Sequence, residues 1–582
     1  MNWTNRVFPT VEKLHKQWRQ YSWTHFGHDV RAGINVAMLD LPQSMAYAMI
    51  AGLPIHYGIR TSIIGSLISP LLASSRFIVI GPTNATAVLL FSGFLSLGIP
   101  EEQRLILLPT LVLMVSAITI FGALLRFDLI VQYISRSVIS GYVTAAAFLI
   151  IIKQTSHVLG IPAGETKTFW DTLAHVIRCC PQAQLGTLLF SVSTISIYFL
   201  LKKFWKHAPN FALSIVLSSA FYWIISKQGF QLPMLPNPGS INWQSHLPNL
   251  DLSVIEQLAP MAIAIALLSL VESSSISKSL AAQSGDTVDI SQQMMSIGLA
   301  CGVGSIASAM PMSGSPTRSA LNYESGARSP VSSLISGLTI LILFLLFGSA
   351  VQWIPKATLA SLIICVGLSL IRWSSIKVFL NVSKSDAATF LLTFLSGLLF
   401  PLDLAIYLGV GLSVALFLRK VSVPKLEEID FNERGELVGK QSSEHSAISI
   451  VHVEGDLFFG STDVFLDRVR DIVQTPNLKV IILRMLNAHH IDATASLAIC
   501  NLVNFARKKS RDVILSGVRD DMKRHLEKSG LTDLLGESNI YYYTPENVTL
   551  STKNALLRAK EITGDESSDV ILMVKKKEQR ED

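Results

Sequence analysis

From residue 31 to residue 418 the chain is a succession of apolar blocks, most of them roughly 15–25 residues long, the length a helix needs to cross about 30 Å of hydrocarbon. No other feature restricts the fold so strongly. A backbone in lipid must satisfy its own hydrogen bonds, and blocks of this length do so as helices. Composition agrees. Of 582 residues 50% are hydrophobic and only 15% are charged, against about 25% charged in a soluble domain. The charges gather in residues 1–31 and after Arg419, so the chain reads as a polytopic, all-α membrane protein with a polar end.

The blocks lie near 31–50, 58–74, 83–97, 104–125, 129–152, 183–202 and 208–226, then near 258–280, 290–304, 316–326, 329–349, 355–371, 386–400 and 402–418. A Pro-rich loop over 227–251 separates them seven and seven. An even total returns both termini to one side, and the basic ends place that side in the cytoplasm. An odd number in each half requires the halves to be inverted relative to each other. Residues 1–30, with Lys13, Lys16 and Arg19, read as an amphipathic segment on the cytoplasmic face, without the apolar core of a signal peptide. The five cysteines form no disulfide framework; Cys301, Cys365 and Cys500 sit in apolar contexts that suit packing.

Two blocks break the pattern. The third segment of each half is short and preceded by Gly and Pro, as "VIGPTNAT" at 79–86 and "MPMSGSPTRSALN" at 310–322. Interrupted segments at matching places in two halves point to a transporter's substrate site. After each break a new helix opens with unpaired N–H groups and a partial positive charge. Such a terminus holds an anion without help from a cationic side chain. Thr83 to Thr86 open one helix; Ser313, Ser315 and Thr317 decorate the other.

Three ionisable residues fall at membrane depth. Arg318 sits in the first turn of the second broken helix, where a guanidinium is costly unless it faces a cavity or a partner. It suits bidentate recognition of an oxyanion or carboxylate; the alternative is a structural ion pair with Glu324 or Glu272. Glu272, in "IAIALLSLVESSSISKSL", is placed to carry a proton. Asp40, in "NVAMLDLPQSMAYA", is either a second coupling group or a carboxylate capped by backbone at a bend above Pro42.

After "LFLRKVSVPKLEEIDFNERGELVGKQSSEH" the composition becomes that of a soluble α/β domain. "AISIVHVEG", "LKVIILRM" and "RDVILSGV" read as strands; "TDVFLDRVRDIVQ", "SLAICNLVNFARK" and "RDDMKRHLEKSG" carry helical periodicity. This alternation predicts a small, mostly parallel sheet covered by helices. The expected organisation is a cytoplasmic segment 1–30, a transmembrane domain 31–420, a linker 421–444, the α/β domain 445–575 and a charged tail 576–582. No nucleophile–base constellation or phosphate loop supports an enzyme. The net charge of +6 is no argument for nucleic acid, and no metal or cofactor is implied.

"DVRAGINVAMLDLPQSMAYAMIAGLPIHYGIRTS" with "SSRFIVIGPTNA" resembles the signature of the SulP anion transporters. "VISGYVTAAAFLIIIKQTSHVLG", "VESSSISKSLAAQSG" and "GVGSIASAMPMSGSPTRSALNYESGARSPVSS" match in the same order. The C-terminal "EGDLFFGSTDVFLDRV" and "VIILRMLNAHHIDATASLAI" are similar to that family's STAS domain. The resemblance implies a fourteen-segment inverted repeat of the uracil-transporter type with core and gate subdomains, a homodimer, and an anion between the third and tenth segments. By motif position, Gln43 and Tyr47 line the site from the first segment, Thr83, Asn84 and Ala85 from the third, and Thr317 and Arg318 from the tenth. Glu272 falls on the eighth-segment carboxylate associated with proton coupling. A sodium-coupled bicarbonate type has Asp there and a hydroxyl one turn later, where this chain has Ile276. The chain departs from the family at Ser291, Gln292 and Gln293, usually Asn-Gln-Glu, and at Asp40, usually apolar. In the STAS domain, Thr494 beside Asp492 takes the place of a phosphorylatable or nucleotide-contacting residue; the alternative is an ordinary helix cap. The expectation is proton-coupled sulfate transport by elevator-type alternating access. Bicarbonate, a dicarboxylate or anion exchange comes next, followed by a channel- or motor-like member and a nucleobase permease.

Overall fold

A computed structural model describes residues 23–127, 135–162, 164, 169–205, 210–227, 229–235, 247–422, 424–431, 437–439 and 447–564. The basic segment with Lys13, Lys16 and Arg19 and the tail 576–582 lie outside the described residues. The chain divides into two compact units, one ending at Val414 and the other beginning at Ala415.

The first half of the membrane unit contains α1 (Trp23–Ile50), α2 (Ile55–Ile68), strand β1 (Ile80–Gly81), α3 (Asn84–Ser96), α4 (Glu101–Leu124), α5 (Arg136–Leu159), α6 (Phe169–Cys179), α7 (Leu185–Phe204) and α8 (Asn210–Ser226). The second contains α9 (Leu252–Ser284), α10 (Ile290–Ile306), strand β2 (Ser313–Gly314), α11 (Pro316–Glu324), α12 (Val331–Phe347), α13 (Lys356–Leu370), α14 (Trp373–Val382), α15 (Lys384–Leu399) and α16 (Leu402–Val421). Among the described residues, fourteen of these sixteen helices coincide with the fourteen expected segments. The other two, α6 and α14, are short insertions of 11 and 10 residues. Among the described residues, seven helical spans are long and apolar enough to cross a membrane by length and composition, which gives the unit its multi-pass character.

Two boundaries differ from expectation for local reasons. The fifth helix runs from Arg136, where Ser135 caps it by accepting the Ser137 N–H, to Leu159, where Gly160 turns left-handed; the expected start over 129–134 lies outside the described residues. The first helix starts by Trp23 among the described residues, eight positions before the apolar block. Packing sorts the helices. α7, α8, α12 and α15 present exposed apolar side chains such as Leu185, Val216, Leu346 and Leu395, a surface suited to lipid. Leu89 and Leu90 of α3, Leu111 of α4, Ile265 of α9 and Ile297 of α10 have no exposed surface and form the interior. Cys301 and Cys365 are buried among them, as expected.

The second unit holds strands β3 (Lys425–Phe431), β4 (Leu437–Gly439), β5 (Ile448–Leu457), β6 (Val480–Ile491), β7 (Asp512–Val518) and β8 (Ile540–Tyr542). Their order in the sheet is β4-β3-β5-β6-β7-β8. From β5 to β8 the pairing is parallel, whereas β3 and β4 add antiparallel at one edge. The helices are α17 (Thr462–Val473), α18 (Ala493–Lys508), α19 (Asp520–Lys528), α20 (Leu531–Leu535) and α21 (Leu550–Thr563). The mostly parallel sheet is as expected. The segment read as a linker, 421–444, instead contributes β3 and β4: in "KLEEIDF" the charges stand on a strand that pairs with β5 from Lys425 to Ile429.

Candidate anion site

α3 has 13 residues and α11 has nine, too few to span 30 Å at 1.5 Å per residue. Each is completed by an extended lead-in. The two lead-ins cross as a two-stranded antiparallel ribbon, with Ile80 opposite Gly314 and Gly81 opposite Ser313. Ser315 N–H donates to Val79 O at 3.0 Å, and Val79 N–H donates to Ser319 Oγ at 3.0 Å. Because the strands are antiparallel, α3 and α11 leave the crossing in opposite directions, and both N-termini point back at it.

Each helix start is capped from its own sequence. Thr83 and Thr86 form a reciprocal capping box, in which each hydroxyl satisfies an otherwise unpaired backbone donor. Ser315 accepts the Arg318 N–H, and Pro316 opens α11, a position where its missing donor costs nothing.

α9 braces the crossing. Ser269 Oγ donates to Met312 O at 2.8 Å, and Gly314 N–H donates to Ser273 Oγ at 2.8 Å. Glu272 Oε2 accepts from Ser313 Oγ at 2.8 Å and from Thr83 Oγ1 at 3.3 Å. One carboxyl thereby joins the two broken segments. Glu272 keeps some open surface, whereas Thr83 and Ser313 are buried.

Arg318 has no exposed surface. Its Nη1 forms an ion pair with Asp40 and donates to Ser62 Oγ at 3.1 Å; its Nη2 donates to Pro82 O at 2.6 Å. Asp40, also fully buried, accepts from Ser62 Oγ at 2.5 Å. The ionic partner of Arg318 is therefore Asp40, not Glu324 or Glu272. Asp40 is held by side chains rather than by backbone above Pro42. A buried guanidinium needs a counter-ion and acceptors for its donors: α1 supplies Asp40, α2 supplies Ser62 and the lead-in of α3 supplies Pro82 O, while Nε is buried without a partner among the described residues. Ser62 was missed from sequence, although Thr61, Ser62 and Ser66 of α2, with Ser69 just past its end, are all buried polar residues. The departure at Gln292 and Gln293 also gains an account: Gln292 Nε2 donates to Leu72 O at 2.9 Å, and Gln293 Oε1 accepts the N–H groups of Ser74 and Ser75. The pair pins the loop that leads into β1.

The remaining expected residues are placed as follows. Gln43 and Tyr47 are buried on α1, at helical spacing from Asp40 on one face. Tyr47 lies within electrostatic reach of Arg318, Asp40 and Glu272. Asn84 and Ala85 are buried in the first turn of α3, and Ala85 O accepts from Tyr142 Oη of α5 at 3.0 Å. Gln43 Oε1 and Asn84 Oδ1 are buried and accept no hydrogen bond from any described residue. Thr317 is exposed on α11. In the second unit, Asp492 caps α18 by accepting the Ala495 N–H at 2.8 Å and also takes the Phe459 N–H at 2.8 Å. Thr494 is exposed in the next turn.

Comparison with known proteins agrees with this architecture. Residues 26–393 match the sulfate permease family and residues 440–546 the STAS domain. The chain is 25% identical to sulfate transporter 4.1, chloroplastic, of Arabidopsis thaliana, over 92% of this chain and 81% of that one. It is also 25% identical to the putative sulfate transporter YvdB of Bacillus subtilis, over 91% and 98%. Among solved structures, the murine Slc26a9 anion transporter in the inward-facing state superposes with a TM-score of 0.83 at 19% identity, covering 94% of each chain. The transmembrane domain of the cyanobacterial bicarbonate transporter BicA gives 0.60 at 18%, covering 68% of this chain and 98% of that one. The chain belongs to the sulfate permease family and carries a STAS domain behind its membrane unit.

Proposed function

We propose that the protein is a secondary active transporter of inorganic anions, with sulfate as the leading substrate and bicarbonate or a dicarboxylate next. The observation that carries this reading is the ribbon of β1 and β2, which aims the capped N-termini of α3 and α11 at one place. Backbone dipoles converging there attract an oxyanion. Gln43, Tyr47, Thr83, Asn84, Ala85, Ser315 and Thr317 line the site, and Arg318 braces it from behind. The named relatives being sulfate transporters supports sulfate over bicarbonate.

Glu272 carries the coupling proton. It touches the start of α3 through Thr83 and the lead-in of α11 through Ser313, so its charge state changes the field at the place where the anion binds. Alternating access is elevator-like, both termini are cytoplasmic, and the protein works as a homodimer in the plasma or bacterial inner membrane. Thr494 and Asp492 form a regulatory face of the STAS domain toward a cytoplasmic partner or nucleotide.

The test is uptake of radiolabelled sulfate, bicarbonate and dicarboxylate into proteoliposomes under imposed proton or sodium gradients. Saturable, counterflow-competent sulfate uptake driven by the proton gradient is expected. Glu272→Gln should abolish proton-driven accumulation while sparing sulfate exchange. Proton-driven uptake that survives Glu272→Gln would remove the coupling role, and a uracil-binding protein without anion uptake would remove the transport reading.

A further inference from the structure

Three ionisable groups converge on the crossing of β1 and β2, and they differ in access. Asp40 and Arg318 are paired with no surface open to solvent. Glu272 is only partly covered, and Thr317, beside Arg318 in sequence, is exposed. A solute arriving at the helix starts therefore meets the Glu272 carboxyl and not the guanidinium. The guanidinium spends its Nη donors on Asp40, Ser62 and Pro82 O, which clamps α11 to the lead-in of α3.

We propose that Asp40 is a positioning residue that makes proton coupling obligatory: by cancelling the charge of Arg318 it leaves the site without net positive charge, so the anion binds only with the proton that neutralises Glu272. The proposal rests on the transport reading above and extends it to a residue outside the site. With the pair neutral, an ionised Glu272 gives the site a net charge of minus one. A carboxylate about 5 Å from a bound anion, at an effective dielectric constant of about 20, opposes binding by roughly two orders of magnitude for each negative charge the anion carries, and so by about twice as many for sulfate. Protonation removes that term, and by linkage the anion strengthens proton binding equally.

The other groups around Glu272 do not alter the balance. From α1 come Asp40 and the phenol of Tyr47; from the start of α3, Thr83; from β2 and α11, Ser313 and Arg318. Arg372, at the start of α14, acts on Glu272 electrostatically but is exposed, and its field is screened by solvent. Lys278, on α9 itself, is exposed six residues further on. Within this set Asp40 is the group that decides whether Arg318 counts as a cation.

The experiment measures initial sulfate uptake into proteoliposomes from pH 5 to pH 8. It compares wild type, Asp40→Asn and the double variant Asp40→Asn with Arg318→Gln. Wild-type uptake is expected to fall steeply with rising pH. Asp40→Asn, which frees the guanidinium charge, should flatten the profile at least tenfold and tighten apparent sulfate affinity at pH 8. The double variant, neutral again, should restore the steep profile. A wild-type profile in Asp40→Asn, or a flat one in the double variant, overturns the proposal. Should Asp40→Asn fail to fold, calorimetric titration of the purified wild type with sulfate, in two buffers of different ionisation enthalpy, decides the matter. About one proton taken up per sulfate supports obligatory coupling, and none overturns it. A wild type with no saturable sulfate uptake at any pH fails the transport reading itself, and this inference with it.

Discussion

Gly81 lies directly against the guanidinium of Arg318: a Cβ at position 81 would stand 2.8 Å from Nη1, 3.3 Å from Nη2 and 3.3 Å from Ser62 Oγ. Gly81 is also a ribbon residue, opposite Ser313. The lead-in of one broken helix is thus thin at the point where the cation of the other passes through to α1 and α2.

Gly81→Ala should therefore be costly out of proportion to one methyl group. The guanidinium is fixed by Asp40, Ser62 and Pro82 O and has no room to yield, so overpacking of about 1–3 kcal/mol is expected. Thermal unfolding of the detergent-purified protein should show the loss, together with reduced sulfate uptake. Gly411→Ala is the control, because nothing lies within 4 Å of a Cβ there; its unfolding temperature should stay near wild type.

Thr83 has two roles that substitution can separate. Its hydroxyl accepts the Thr86 N–H as the cap of α3 and donates to Glu272. Thr83→Ser keeps both bonds and should preserve sulfate KM. Thr83→Val keeps the shape and loses both, costing about 1 kcal/mol of cap stabilisation and raising KM severalfold. A Val variant with wild-type KM would remove Thr83 from the site.

The broken helices were legible because their signals are local. Gly81–Pro82 and the hydroxyls of Thr83 and Ser315 mark an end and a start within a few residues, and the structure uses each as a cap or lead-in. Hydropathy located the spans but not their ends: the fifth helix keeps Lys153 and Gln154 inside it because Ser135 and Gly160, not apolarity, set its limits. The Asp40–Arg318 pair was not legible. The two residues are 278 positions apart, and no periodicity in one sequence reveals which buried carboxylate meets which buried cation. β3 escaped for another reason. Its charged residues hide the strand pattern, so "KLEEIDF" reads as linker until β4 and β5 are seen on either side of it.

In the STAS domain, capping and regulation fall on neighbouring residues and can be told apart. Asp492→Ala removes the acceptor for two backbone N–H groups and should cost about 1–2 kcal/mol. Thr494 is exposed, so Thr494→Ala should leave stability within about 0.5 kcal/mol of wild type. Thr494→Glu, mimicking a phosphate at a helix start, should change the sulfate uptake rate without changing unfolding. An unaltered rate would leave Thr494 as an ordinary surface residue.

The STAS domain should also lose stability in acid through His452. Its ring stands on β5 beside β6, with Arg484 Nη1 3.1 Å from Nδ1 and Asn487 Nδ2 3.2 Å from Nε2. Burial, and then the charge of Arg484, hold its pKa below the usual 6.5, with Glu454 and Glu427 opposing. The folded domain thus keeps the ring neutral where the unfolded chain would protonate it. Between the two pKa values the unfolded state binds more protons, so stability rises with pH there. The contribution is complete above about pH 6.5 and is lost as the pH falls through that value toward the lower folded pKa. Scanning calorimetry of the full-length protein from pH 8 to pH 5 should show the unfolding temperature falling on acidification, and part of that fall should be absent in His452→Gln. Parallel losses in both proteins would show that another group is responsible.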